Sequence, residues 1–256
     1  MKHLEVKGVT IPALGFGTYL LRGTACTDSV LTALKLGYRH IDTAQMYRNE
    51  SAVGKAVRES GIPRDQIFLT TKILASNLAP EDVLSSTHAS QEKLDCEYID
   101  LLLIHWPSAT VPIDETIDAM NDLQEEGIVK HIGVSNFSVP EMEKAVDASE
   151  TPILTNQVEY YPGRGQDAML EYCQKNNLML TAYSPLGKGR VIDDKTLDEI
   201  GARHNKTSAQ VALRWLIQQE NVVTIPKAGQ ESHIRDNFDI FDFELSAGEM
   251  ETIQNL

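Results

Sequence analysis

The chain has 256 residues and a formal net charge of −14, from 37 acidic and 23 basic side chains. Nucleic acids and anionic membranes would be repelled by this charge, so we expect neither as a partner. The longest uninterrupted apolar run, residues 101–104, is far too short to cross a bilayer. A hydrophobic content of 42% allows a sizeable core, so the composition indicates a soluble globular protein.

The N-terminal residues and the cysteines indicate a cellular compartment. Residues 1–4 do not begin the apolar stretch of a signal peptide. Cys26, Cys96 and Cys173 are odd in number and widely spaced, which is not the pattern of a disulfide framework. We therefore expect a reduced protein in the cytoplasm.

The pattern along the chain predicts a barrel. Residues 4–12 alternate around Lys7-Gly8, which predicts a β-hairpin that closes the bottom of the fold. Short apolar runs follow, separated by stretches with helical spacing, at residues 14–18, 40–42, 68–72, 101–105, 131–136, 154–157, 180–183 and 222–225. This alternation predicts an α/β fold, a (β/α)8 or TIM barrel with an N-terminal β-hairpin. Because no linker interrupts the chain, we expect residues 1–256 to form a single barrel domain.

The helices between these runs carry their own end signals. Asp28 precedes an apolar face that stops at Gly37, which predicts a capped first helix. Ser51, Pro140 and Thr207 are predicted to open three further helices.

Polar side chains at the strand ends form the expected site, because barrel active sites are assembled at the C-terminal ends of the strands. Asp42 and Tyr47 share the loop after one strand, while Lys72 and His105 end the next two. Neighbouring units could deliver all four into one cleft. Taken singly, each also has an ordinary structural role in ion pairing, capping or packing. Their joint spacing favours a catalytic set.

The segment around these residues resembles the most characteristic stretch of the aldo-keto reductases. It reads Gly-Tyr-Arg-His-Ile-Asp-Thr-Ala at residues 37–44 and continues with Tyr47, Asn49 and Glu50. The similarity extends over nearly the whole chain, in the family's order, through residues 71–72, 102–107, 133–137, 156–157 and 225–227. The chain resembles in particular the bacterial aldehyde and 2,5-diketo-D-gluconic acid reductases.

The resemblance implies an NAD(P)H-dependent oxidoreductase. It would reduce small aldehydes, ketoaldehydes or ketones to alcohols by hydride transfer from NADPH, and Tyr47 would donate the proton. Lys72, paired with Asp42, would lower the pKa of Tyr47 from its usual value of about 10. His105 would orient the carbonyl oxygen, in a charge state that the sequence leaves open.

Two other functions compete with this one. A hydrolytic metal barrel would need His-x-His or comparable ligand spacing, which the seven histidines do not form, so no metal site is predicted. A non-catalytic nicotinamide-binding sensor would keep the fold and the cofactor without turnover. The complete set of four candidate catalytic residues argues against the sensor.

The common phosphate-binding motifs are incomplete in this chain. Gly15-Phe16-Gly17 lacks the third glycine of a Rossmann fingerprint, and residues 187–189 match only part of a P-loop. The resemblance instead implies NADPH or NADP+ bound without a Rossmann fold. The cofactor-binding residues that it implies are Thr18, Ser135, Asn136, Gln157, Tyr183, Ser184, Leu186, Gly187, Lys227, His233, Asp236 and Asn237.

The resemblance also divides these residues among parts of the cofactor. Ser135, Asn136 and Gln157 would bond the carboxamide, and Tyr183 would stack on the nicotinamide ring; a turn, a helix cap and simple packing are the ordinary alternatives. Residues 184–190 offer backbone N–H groups and two cations to a pyrophosphate, or form a solvated basic loop. The adenosine end would be held by Lys227, at the 2′-phosphate, and by Asp236 and Asn237, at the adenine.

Two departures from the family affect cofactor preference. Ala228 stands where Ser is usual, and His233 stands where Arg is usual. Histidine is largely neutral above its reference pKa of about 6.5 and lacks the permanent bidentate charge of Arg. We therefore expect a weakened preference for NADPH, with NADH used less well. Arg235 is either a substitute cation or an exposed helix residue.

Tyr19 and Trp106 are the predicted substrate-contacting residues, because they follow the first strand and His105 and should form aromatic walls. The sequence ends at Leu256, without the C-terminal loop that covers the substrate in many relatives. We therefore expect an open pocket that accepts small aldehydes and dicarbonyls. A monomer is expected from the resemblance alone.

Overall fold

The computed structural model describes residues 2–256; Met1, which the predicted domain includes, lies outside the described residues. The strands are β1 (His3–Val6), β2 (Val9–Pro12), β3 (Phe16–Gly17), β4 (His40–Asp42), β5 (Phe68–Ile73), β6 (Ile99–Ile104), β7 (Val129–Ser135), β8 (Ile153–Glu159), β9 (Met179–Tyr183) and β10 (Val222–Thr224). The α-helices are α1 (Gly23–Leu36), α2 (Glu50–Glu59), α3 (Pro80–Leu94), α4 (Ile113–Glu125), α5 (Val139–Ala148), α6 (Asp167–Lys175), α7 (Lys195–His204), α8 (Ser208–Gln218), α9 (Glu231–Phe238) and α10 (Ala247–Gln254). Short 3-10 helices occupy Gln45–Tyr47, Arg64–Gln66, Ala75–Asn77 and Gly187–Gly189.

Strands β3 to β10 form one parallel sheet in which each strand pairs with the next along the chain. The sheet closes on itself where Leu14 pairs with Thr224. At this seam the Gly15 N–H donates to the Thr224 carbonyl over 2.8 Å, and the Thr224 N–H donates to the Ala13 carbonyl over 3.0 Å. At least one helix follows each of β3 to β9 before the next strand, so the predicted TIM barrel is confirmed.

The N-terminal hairpin fills the bottom of the barrel, as predicted. Its turn, Lys7-Gly8, has positive φ at both residues (52° and 79°), the geometry of a tight hairpin turn. Val6 and Ile11 are fully buried and pack with side chains from inside the barrel, namely Leu101, Leu103, Leu154, Met179 and Val223. The alternate residues of β6, Leu102 and Ile104, pack outward against the helices instead. Period-two alternation therefore divides the core into an inner and an outer part.

The first helix begins earlier than predicted. It starts at Gly23 after Arg22, so Asp28 lies inside α1, exposed, and is not its cap. The reason is that buried Cys26 and Val30, four residues apart, lie on one face and extend the packed stripe toward the N-terminus.

The other predicted helix ends agree with the structure to within one residue. Gly37 ends α1 in the left-handed conformation, at φ 112°. Thr207 caps α8 in a capping box with Gln210. Helix α2 begins one residue before Ser51, and α5 begins one residue before Pro140.

No α-helix in the described part of the chain is both long and apolar enough to span a bilayer.

Candidate active site

A buried ion pair lies at the C-terminal ends of β4 and β5. The Lys72 ammonium donates to Asp42 Oδ1 over 2.5 Å and to the Thr43 carbonyl over 2.7 Å. The second carboxylate oxygen, Asp42 Oδ2, accepts a hydrogen bond from Gln157 Nε2 at 2.8 Å. Lys72 is 0% and Asp42 1% exposed. Burial favours the neutral form and lowers the pKa of Lys72, while the adjacent carboxylate acts in the opposite direction. Both carboxylate oxygens of Asp42 and two of the three N–H groups of the Lys72 ammonium are therefore hydrogen-bonded, which offsets part of the cost of burying the charges.

Tyr47 lies beside this pair, at the end of the 3-10 helix Gln45–Tyr47. Its ring centroid is 5.0 Å from the Lys72 ammonium nitrogen, 5.1 Å from the Tyr19 ring and 5.8 Å from the His105 ring. The four candidate catalytic residues thus meet in one cleft, and Tyr19, a predicted substrate residue, packs on Tyr47.

The pKa of Tyr47 is shifted in the direction opposite to the sequence prediction. Burial raises it, and the charges of Asp42 and Tyr19 raise it further. The expected lowering by Lys72 is absent because Asp42, 2.5 Å from the ammonium, offsets the positive charge that the phenol would feel. At neutral pH the hydroxyl therefore keeps its proton.

His105 follows β6 and is buried. Burial first, and the nearby Lys72 charge second, lower its pKa to about 4, so the imidazole is neutral at pH 7. The sequence left this charge state open, and burial favours the neutral form. Its Nδ1 is buried without a hydrogen-bond partner among residues 2–256.

The predicted nicotinamide residues form a network continuous with the ion pair. Ser135 Oγ donates to the Gln157 carbonyl over 2.8 Å, and Asn136 Nδ2 donates to the His105 carbonyl over 3.0 Å. The Tyr183 hydroxyl donates to Asn136 Oδ1 over 2.9 Å. Asn136 has φ of 64°, a left-handed conformation that Asn tolerates better than most residues. Among residues 2–256, Gln157 Oε1 accepts no hydrogen bond, so one acceptor is open beside the ion pair.

Thr18 is buried beneath the predicted cofactor cleft. Its N–H and its hydroxyl both donate to the Asp42 carbonyl, over 3.0 and 2.9 Å. The bonds join β3 to β4 just below the Asp42 side chain.

The predicted pyrophosphate loop is compact. The Gly187 N–H donates to the Ser184 carbonyl over 2.8 Å, and Leu186 next to it is half-buried. Gly187 has φ of 56°, and a Cβ there would lie 2.8 Å from the Tyr161 ring. Glycine is therefore required for this close approach.

Both cations of this loop have partners within the chain. The Lys188 ammonium lies 3.8 Å from Glu159 Oε1, with most of the side chain in solvent. Arg190 Nη1 donates to the Tyr161 hydroxyl over 2.9 Å.

The predicted adenosine residues lie after β10 and on α9. Lys227, His233 and Asp236 are exposed, and Asn237 is buried. Arg235, the possible substitute cation, donates to Glu231 one turn away over 2.9 Å. Its charge is therefore paired on the helix surface.

The rim of the cleft is apolar and open to solvent. Tyr19 and Trp106 are each 47% exposed; Tyr19 packs on Tyr47, and Trp106 directly follows His105 in the chain. Leu20 and Met46, which the sequence analysis did not select, are also exposed apolar residues next to Tyr19 and Tyr47. Both residues lie in loops that follow strand ends, and this position is the sequence signal that could have identified them.

Two polar residues missed by the sequence analysis stabilise the loop that carries Tyr47. Thr43 Oγ1 donates to Asn49 Oδ1 over 2.6 Å. Asn49 Nδ2 donates to the carbonyls of Thr18 and Leu21 over 2.9 and 3.0 Å. Both residues lie in the segment that carries the family resemblance, which was the signal available for them.

Three or more His, Cys, Asp or Glu side chains do not come together at a potential metal site anywhere in residues 2–256.

Known proteins are similar to this chain over nearly its whole length. Residues 13–256 match the Aldo/keto reductase family. Glyoxal reductase of Bacillus subtilis (strain 168) is 41% identical over 250 residues, which cover 97% of this chain and 90% of that protein. Methylglyoxal reductase DkgB of Escherichia coli O157:H7 is 39% identical over 251 residues, 97% of this chain and 94% of that protein. A crystal structure of a protein assigned as a 2,5-diketo-D-gluconic acid reductase B has a TM-score of 0.98 at 46% identity, covering 100% of this chain and 92% of that one.

The burial of His40, two residues before Asp42 on β4, should make the stability of the protein depend on pH. His40 is buried on β4, bonded through Nε2 to Thr70 Oγ1 at 3.1 Å, and burial lowers its pKa from 6.5 to about 4. The unfolded chain therefore binds this proton below about pH 6.5, whereas the folded chain binds it only near pH 4. The stability that comes from the neutral imidazole is complete above pH 6.5 and is lost as the pH falls toward 4.

We expect the fall in unfolding free energy between pH 7 and pH 5 to be smaller in His40→Gln than in wild type, by about 1–2 kcal/mol. Urea unfolding at both pH values measures this difference. His3→Gln is the control, since His3 is an exposed histidine on β1. An equal pH dependence in His40→Gln and wild type would contradict the assignment.

Proposed function

Because the chain belongs to the Aldo/keto reductase family, we propose that it reduces small aldehydes, ketoaldehydes and ketones to alcohols, with NADPH as hydride donor and Tyr47 as proton donor. Members of this family are NAD(P)H-dependent oxidoreductases that act on carbonyl groups. The observation that carries the finer proposal is the meeting of a protonated Tyr47, a neutral His105 and the Lys72–Asp42 pair in one cleft.

The side chains at the predicted cofactor site fit a nicotinamide. Gln157 Oε1 is an open acceptor for the carboxamide N–H2, and Ser135 and Asn136 place further polar groups beside it. The half-exposed ring of Tyr183 offers a face for stacking. When bound, the cofactor supplies a hydride to the carbonyl carbon. Fixed contacts at strand ends hold one ring face toward the substrate.

Tyr47 gives its proton to the oxygen that becomes an alkoxide. An alkoxide is a stronger base than a phenolate, so this transfer is favourable even though burial raises the pKa of Tyr47. The phenolate left behind lies close to Lys72, whose ammonium is 5.0 Å from the ring centroid. We assign Lys72 the role of stabilising this developing negative charge, while Asp42 keeps the ammonium charged and oriented.

His105 orients the carbonyl oxygen. A neutral imidazole can donate one N–H to that oxygen without competing with Tyr47 as a proton source. Its ring meets the Tyr47 ring edge-to-face at 76°, so the two groups border the same space. The carbonyl oxygen is placed between them.

The substrate class follows from the rim and from the relatives. Tyr19 and Trp106 supply exposed aromatic surface beside the reacting groups and leave room for small carbonyl compounds of varied shape. Relatives named glyoxal reductase and methylglyoxal reductase favour dicarbonyls among these.

Tyr47→Phe should lower the turnover of methylglyoxal with NADPH by about 10²–10⁴-fold, because it removes the acidic proton and little else. The dissociation constant for NADPH, measured by tryptophan fluorescence, should change by less than about twofold. Tyr98→Phe is the matched control, since Tyr98 packs between Arg64 and Lys130, away from the four catalytic candidates. If Tyr47→Phe turned over substrate at the wild-type rate, Tyr47 would not be the proton donor. If the wild-type protein bound cofactor without any turnover, the non-catalytic nicotinamide-binding sensor would be the better interpretation.

His233→Arg should increase the preference for NADPH over NADH by about 10-fold, through a lower dissociation constant for NADPH, because it adds a permanent bidentate charge. Wild type should prefer NADPH while still using NADH. Titration of each cofactor by fluorescence, together with kcat/KM for both, provides the measurement.

The control for cofactor preference is His3→Arg, which adds the same charge at an exposed position of β1. If it produced the same increase, the effect would come from net charge. Equal efficiency of wild type with both cofactors would contradict the NADPH preference.

A further inference from the structure

The position of Tyr47 is not determined by its own hydrogen bonds. Within residues 2–256 its hydroxyl has no hydrogen-bond partner, and it sits in a 3-10 helix of a single turn. The turn contains only the bonds from Tyr47 N–H to the Ala44 carbonyl, 3.0 Å, and from Arg48 N–H to the Gln45 carbonyl, 3.2 Å. A single 3-10 turn has weak geometry and depends on outside contacts for its stability.

The side chain of Gln45, at the start of this turn, supplies such contacts. Its Oε1 accepts the Leu74 N–H at 2.8 Å and Asn77 Nδ2 at 3.2 Å, which occupies both lone pairs. Its Nε2 lies 3.2 Å from the Ser86 carbonyl, from Ser86 Oγ and from Ser90 Oγ, three acceptors for two N–H bonds. The carboxamide is therefore saturated on both sides.

These contacts join three parts of the site. Leu74 directly follows β5, the strand that carries Lys72, and Asn77 ends the next short turn. Ser86 and Ser90 lie on α3, behind that strand. The Gln45 carboxamide thus ties the turn that carries Tyr47 to the end of the Lys72 strand. This link is separate from the bond between Lys72 and the Thr43 carbonyl.

We propose that Gln45 is a positioning residue for proton donation, holding the Tyr47 hydroxyl at hydrogen-bonding distance from the substrate oxygen. The inference rests on the proposed function, in which Tyr47 is the proton donor. A general acid must lie within about 2.6–3.2 Å of the atom that it protonates. A displacement of about 1 Å costs on the order of 100-fold in rate.

Gln45→Met keeps the length of the side chain and removes its polar contacts. We expect the single-turnover rate of NADPH oxidation by methylglyoxal to fall by about 10- to 100-fold. The KM for methylglyoxal and the dissociation constant for NADPH should change by less than about threefold, because the Gln45 carboxamide bonds protein groups and is not among the predicted ligand-binding residues. Gln91→Met is the matched control: Gln91, on the same helix as Ser86, donates to the Glu97 carbonyl over 2.7 Å and should leave the rate unchanged.

The decisive experiment introduces Gln45→Met into the Tyr47→Phe variant. If Gln45 acts through Tyr47, the double variant should be as slow as Tyr47→Phe, within about twofold, because no proton donor is left to position. A further 10-fold loss in the double variant would mean that Gln45 acts in another way and would overturn the inference. A wild-type rate in Tyr47→Phe would instead refute the proposed function.

If Gln45→Met does not fold, Gln45→Asn tests the same inference. The shorter amide can bond either Leu74 or the α3 serines but cannot reach both, so the rate should still fall with the KM nearly constant. An unchanged rate in a folded Gln45→Asn variant would overturn the inference.

Discussion

The buried ion pair between Lys72 and Asp42 is the interaction on which the candidate site depends. Taking both charges out of water is costly, and the hydrogen bonds to the Thr43 carbonyl and from Gln157 Nε2 offset part of that cost. These bonds draw the loop after β4 and the strand β8 toward one point. The same residues then place Tyr47 and the predicted nicotinamide site around the pair.

The pair also sets the electrostatics of the cleft. Two opposite charges 2.5 Å apart act at longer range almost as a dipole, so burial dominates at the neighbouring groups. Tyr47 stays protonated and His105 stays neutral for this reason. In the proposed mechanism the ammonium acts after the proton has moved, when the phenolate carries the negative charge. Tyr47 would hold its proton until the substrate oxygen becomes basic enough to take it.

The fold and the clustering of the four candidate catalytic residues follow from the sequence because local patterns determine them. Short apolar runs such as residues 68–72 predict the strands, and the polar side chains at their ends predict the site. Other features depend on contacts distant in sequence. The pKa direction of Tyr47 depends on burial and the geometry of the ion pair, and the contacts of Gln45 depend on serines 41 and 45 residues away. Local patterns predict neither.

Direct titration of Tyr47 tests the account most closely. Tyrosine labelled with ¹³C at Cζ, compared between wild type and Tyr47→Phe, identifies the Tyr47 signal and reports its ionisation. The account predicts that Tyr47 remains a phenol up to at least about pH 10, the reference pKa, while the fold is intact. Ionisation of Tyr47 between about pH 7 and 9 would mean that Lys72 lowers its pKa in the resting enzyme, and would contradict the account.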